Sequence, residues 1–154
     1  LRPLTKRRLD EVAETWSNIG GRDEFEVELG HVFEWSRLHL HSAFELYNET
    51  QSKTDAILEV VQGERGRATK LMRIYLSPEF WPVDAVTPAV MRTHIEAYAT
   101  FIFSGLSSDT RQVKIYGRTD VSLNMLTSMQ RLWPNFNTGS TAKMEGRWLA
   151  ITRK

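Results

Sequence analysis

Hydrophobic and polar positions change period several times along this chain, and the changes mark its elements. Leu9, Val12, Ala13, Trp16 and Ile19 recur at helical spacing, which predicts an amphipathic helix. Thr5 stands before it as an N-cap and Gly20-Gly21 ends it. The stretch from Asp23 to Glu49 fits two periods. Phe25, Val27, Leu29, Phe33 and Trp35 alternate with glutamates as a half-buried strand would. Phe25, Leu29, Val32, Phe33, Leu40, Ala43, Phe44 and Tyr47 also form one helical stripe. The alternation breaks after Trp35 and the stripe does not, so the pattern predicts helix over 23–49, with Gly30 as an internal cost of about 1 kcal/mol relative to Ala.

Ser52 to Asp55 has the form of a capping box and predicts a short helix through Val61. A strand follows over 69–76. Thr87-Pro88 opens a helix whose Val90, Met91, Ile95, Tyr98, Ala99 and Ile102 face inward. A strand over 112–117, a helix over 120–132 and a last strand over 144–152 complete the chain. Strand, helix, strand, helix, strand implies parallel neighbours joined by right-handed crossovers. The expected fold is therefore α+β (or α/β), a two-layer sandwich with a sheet of three or more strands behind a helical front half.

Charge divides the chain in the same place. Residues 1–62 hold 7 Lys+Arg against 12 Asp+Glu, and residues 63–154 hold 13 against 7. An acidic, mainly helical part and a basic βαβαβ part of one domain suggest two faces with different partners, or two parts that attract each other. The 154 residues suit one domain, and 41% hydrophobic with 25% charged content is that of a globular protein. The first residue is Leu, which reads as a piece of a longer protein. No cysteine is present, so disulfides and thiolate chemistry are excluded. The densest apolar stretch, Tyr98 to Leu106, is too short to span a bilayer. No membrane association is expected, and the location expected is intracellular, in cytoplasm or nucleus.

The two central strands repeat one motif, Arg73-Ile74-Tyr75 and Lys114-Ile115-Tyr116. Alternation within each strand puts Met72, Ile74 and Leu76 on one face with Arg73 and Tyr75 on the other, and Val113 and Ile115 on one face with Lys114, Tyr116 and Arg118 on the other. Arg147 of the last strand joins them unless Gly146 makes a bulge that changes parity. Arg73, Tyr75, Lys114, Tyr116, Arg118 and Arg147 are thus the candidate binding surface. Cations neutralise phosphates and tyrosine faces stack on unpaired bases. The competing account has the cationic stems lying over tyrosine rings beneath a covering helix. Exposure of the Tyr75 and Tyr116 rings separates the two.

Other chemistry is thin. Glu28 and His31 have Glu-x-x-His spacing but no second copy, and His31, His39 and His41 diverge on a helix, so no metal is expected. Gly117 to Asp120 forms a strand-to-helix corner, read as a plain N-cap because no phosphate-loop motif occurs. No nucleophile or zinc-protease motif occurs either, and no cofactor is expected. Trp81-Pro82 and Trp133-Pro134 read as core anchors at turns. The resulting expectation is a non-catalytic protein-interaction or assembly module, docking a protein or a second copy of itself. Nucleic-acid or polyanion binding on the basic-aromatic face is the alternative, and a metal-dependent nuclease using Asp109, Asp120 and Glu145 a remote one.

Overall fold

The computed structural model describes residues 1–20, 23–63, 67–81, 87–106, 110–136 and 139–154. The elements run β1 (Arg2–Pro3), α1 (Lys6–Gly20), α2 (Asp23–Leu38), β2 (Ala43–Asn48), β3 (Lys53–Gly63), β4 (Ala68–Leu76), α3 (Pro88–Gly105), β5 (Gln112–Tyr116), α4 (Asp120–Leu132), β6 (Ser140–Glu145) and β7 (Trp148–Arg153). The fold is α+β. Its seven strands lie in the order β1-β2-β3-β4-β5-β7-β6. The chain divides into two compact units: residues 1–59 with 74–97, and residues 60–73 with 98–154. Among the described residues no helix is long and apolar enough to cross a membrane.

In the first unit α1 follows its sequence pattern up to Trp16, while Ile19 of the expected stripe is exposed. Thr5 Oγ1 accepts from Arg8 N at 3.2 Å, and Leu9, Val12 and Trp16 are buried. They meet Leu29, Val32 and Phe33 of α2, Ala43 of β2 and Ile57 of β3 in one core. Two predictions fail here. The helix expected through residue 49 stops at Leu38, and the chain re-enters as strand β2. Its alternation was hidden because Glu45, a charged residue, is the inward one, 3% exposed. Arg8 makes this tolerable. Its Nε donates to both Glu45 oxygens at 3.2 and 3.0 Å, its guanidinium donates to Thr54 Oγ1 at 3.1 Å, and Thr54 donates to Glu45 at 2.5 Å.

The helix expected from Ser52 to Val61 is strand β3, antiparallel to β2. Thr54 to Leu58 are buried without interruption, and a run buried on both faces, with Ala56, Ile57 and Leu58 apolar in succession, carries no period that distinguishes strand from helix. Ser52, read as the start of a cap, has φ +53 in the hairpin turn.

Near the middle of α3, His94 is part-buried and its Nδ1 lies 3.0 Å from the Val90 carbonyl. Desolvation holds its pKa below the ordinary 6.5, against the pull of that hydrogen bond. The folded state therefore resists protonation that the unfolded chain accepts. Stability falls as the pH drops through about 6.5 and levels off below the folded-state pKa. Urea midpoints at pH 7.5 and 5.5 should differ less in His94→Gln than in the parent; an equal difference would rule this out.

In the second unit β4 and β5 are parallel, pairing Ala68 to Leu71 with Gln112 to Ile115. The last strand expected over 144–152 is instead the hairpin β6–β7, and β7 runs antiparallel to β5. Gly146, with φ +63, is its turn rather than a bulge, so the expected all-parallel sheet is mixed. α4 begins as the sequence predicts, with Thr119 and Ser122 in a reciprocal capping box.

Helices of this unit cover one face of its strands. A Cβ at Gly105 of α3 would stand 2.7 Å from Val113 Cγ1, and Trp133 Nε1, just past α4, donates to Ser140 Oγ at 3.0 Å. On that face Leu71, Val113, Ile115, Leu149 and Ile151 are 1% exposed or less.

Candidate functional site

The strand register of the second unit decides which side chains share its other face. Lys70 pairs with Lys114, Lys114 with Ala150, and Ala150 with Lys143. Three lysines thus lie in one row across β4, β5 and β6, with small, buried Ala150 between two of them. The next row toward the β5 carboxyl end holds Tyr116, Trp148 and Glu145. The Tyr116 and Trp148 rings are 4.9 Å apart and tilted by 47°. Lys114 Nζ reaches Glu145 at 3.2 Å, while Lys70 lies over Gly63 of β3. No carboxylate among the described residues is paired with Lys70 or Lys143.

At its carboxyl end the parallel pair opens. The last β4–β5 pair is Leu71 with Ile115, although β4 continues through Met72 and Arg73 and β5 through Tyr116. Among the described residues the strand partner of Tyr116 lies on the other side, Trp148 of β7. The corner after β5 is rigid. Gly117 N donates to Arg147 O at 2.8 Å, and Arg147 Nε donates back to Gly117 O at 2.7 Å. Arg147 also reaches the Arg118 carbonyl at 3.2 Å and Asp120 at 3.3 Å.

Of the six surface residues expected from the sequence, the structure brings Lys114 and Tyr116 together on one face, both half-buried. Arg118 is exposed at the corner beside them. Arg147 belongs to the β6–β7 turn and spends its guanidinium on main-chain carbonyls. Arg73 is exposed, but pairing Leu71 with Ile115 gives it the parity opposite to Lys114. Tyr75 packs in the first unit's core with its ring 5.8 Å from Trp35 of α2. The face expected from alternation inside each strand is not a single patch, because alternation does not fix register between strands. Lys70 shares the face of Lys114 through the β4–β5 register, and Gln112 and Trp148 were not among the residues expected there.

The remaining candidates separate. His31 is exposed on α2, and the His39 ring stacks on Trp35 at 5.3 Å. No group of three or more His, Asp or Glu that could hold a metal exists among the described residues. Asp120 is paired with Arg147 and Glu145 with Lys114; Asp109 lies outside the described residues.

The opening offers main-chain edges of two strands, apolar Met72, a tyrosine hydroxyl and nearby cations. An extended chain carrying amide groups and a phosphorylated end fits such a set. The sequence supplies no glycine-rich phosphate loop to go with it.

No protein-family model matches this sequence, and neither does any curated protein. Two solved structures are similar over nearly their whole lengths. One is the PaiA N-acetyltransferase from Thermoplasma acidophilum in complex with coenzyme A, at 17% identity and TM-score 0.42, covering 99% of this chain and 96% of that one. The other is a spermidine N-acetyltransferase SpeG chimera from Vibrio cholerae and hSSAT, at 15% identity and TM-score 0.44, covering 98% and 92%. Both are N-acetyltransferases, in contrast to the non-catalytic protein-interaction or assembly module expected from the sequence. Tyr75, packed against the first unit's core, and Arg147, bonded to main-chain carbonyls, do not join Lys114 and Tyr116 in the expected basic-aromatic surface.

Proposed function

We propose that the protein binds an acyl thioester of the coenzyme A kind at the opening of β4 and β5 and transfers its acyl group to an amine. The observation that carries this reading is the end of the ladder at Leu71 and Ile115 while both strands run on. In open sheets with parallel strands, ligands bind outside the carboxyl ends of those strands. Released strand edges also accept a ligand that supplies its own amides, as an added strand would.

When bound, the thioester supplies the activated acyl group. The chain's own residues then have three tasks. The edges of Met72, Arg73 and Tyr116 align the extended arm. Arg118, exposed at the corner, attracts its phosphates, an effect that weakens with salt. As the C–N bond forms and the C–S bond breaks, Tyr116 Oη gives its proton to the departing thiolate and recovers one from the amine nitrogen, and Trp148 fixes the ring that carries it.

Calorimetric titration with desulfo-coenzyme A and a thiol-release assay with acetyl-coenzyme A test this. Saturable binding is expected. Tyr116→Phe should keep that binding and slow transfer by about a hundredfold. Absence of binding sinks the reading, and a Tyr116→Phe variant as fast as its parent removes the role given to the hydroxyl.

A further inference from the structure

We infer that the acyl acceptor is an amine carrying an anionic group, a carboxylate or a phosphate, which docks on the lysine row beside the opening. This rests on the acyl-transfer reading above and adds the substrate class to it. Lys70 and Lys114 are direct partners across the parallel pair, so their Cα atoms are about 5 Å apart. Lys143 lies two strands further, about 10 Å from Lys114. Glu145 offsets one of the three charges, through Lys114. Neither Lys70 nor Lys143 is ion-paired among the described residues, which leaves the row cationic.

The row is two residues short of the opening along β4 and β5, a distance of about 7 Å. An anion held on the lysines places an amine a few bonds away at the end of the ladder. Gln112, Thr152 and Thr141 form the row behind and offer neutral hydrogen-bonding groups. A polycationic amine meets the opposite field. Three like charges at these separations repel it, and among the described residues neither Lys70 nor Lys143 has a carboxylate partner to weaken that field.

Calorimetry with the desulfo-coenzyme A complex, and thiol release with acetyl-coenzyme A, would use matched amines. L-glutamate and O-phospho-L-serine are the anionic probes, L-glutamine and L-serine their neutral counterparts, and spermidine the cationic one. The anionic probes should bind and react at least about tenfold better than their neutral counterparts. Lys70→Gln and Lys143→Gln should each weaken them by about fivefold and leave desulfo-coenzyme A affinity unchanged. The better of the two anions identifies carboxylate or phosphate as the group held. If desulfo-coenzyme A does not bind, the acyl-transfer reading fails, and this assignment with it. If it binds and spermidine or the neutral amines match the anions, only the acceptor assignment fails. That assignment also fails if the lysine variants lose coenzyme affinity instead, since the row would then serve the coenzyme's phosphates.

Discussion

Replacing Arg8 by Met should lower the stability of the protein by about 3 kcal/mol. The reason lies on β2. Glu45 has a side chain only 4% exposed, and that of Arg8, its cationic partner, is 29% exposed. Arg8 also donates to Thr54 and Glu11 and lies 5.1 Å above the Tyr47 ring. Methionine keeps most of the apolar stem but leaves a buried carboxylate with one hydroxyl for company. Removing the carboxylate's charge as well, in Arg8→Met with Glu45→Gln, should recover about half of the loss, because the amide still accepts from Thr54. Urea unfolding of the two single variants and the double variant measures both numbers. A single-variant loss below about 1 kcal/mol would show that Glu45 reaches water or another cation once Arg8 is gone.

The same residues explain what the sequence could and could not say. Elements bounded by their own chemistry were legible. Thr5 caps the helix it was expected to cap, Thr119 caps α4 within the corner read as an N-cap, Thr87 Oγ1 accepts from Val90 N at 3.2 Å, and Leu9, Val12 and Trp16 face inward. Elements whose character depends on a distant partner were not. β2 looks unlike a strand because its inward position holds Glu45, acceptable only with Arg8 from 37 residues away. β3 looks like a helix because its first half is buried without a break.

The candidate site failed at the same level. Each central strand was correctly seen to have two faces, but which face of β4 joins which face of β5 is a property of the pair. Lys70 opposite Lys114 turns Arg73 and Tyr75 away from Tyr116. The opening itself has no local signature, since Met72 and Tyr116 are ordinary strand residues in sequence. Trp148, Ala150 and Thr152 alternate with Leu149 and Ile151, so a second strand face was readable there once Gly146 was taken as a turn.

Gly117 is where a single methyl group should have the next largest effect. A Cβ there would stand 3.0 Å from Leu123 Cα and 3.3 Å from Arg147 O, both main-chain atoms. A flexible side chain could swing away; these cannot without moving α4 or the β6–β7 turn. Gly117→Ala is therefore expected to cost about 2 kcal/mol, as overpacking of a filled site does. Arg147→Met, which removes the donor to Gly117 O, is expected to cost about 1.5 kcal/mol. The two changes strain and loosen one corner, so the double variant should lose less than the sum. Once the turn is released, the methyl has somewhere to go. Because this corner fixes the end of β5, Gly117→Ala should also weaken desulfo-coenzyme A binding at temperatures where the variant is fully folded. Losses that add within about 0.3 kcal/mol would mean that Gly117 and Arg147 are independent, and that the corner is not the clamp its hydrogen bonds suggest.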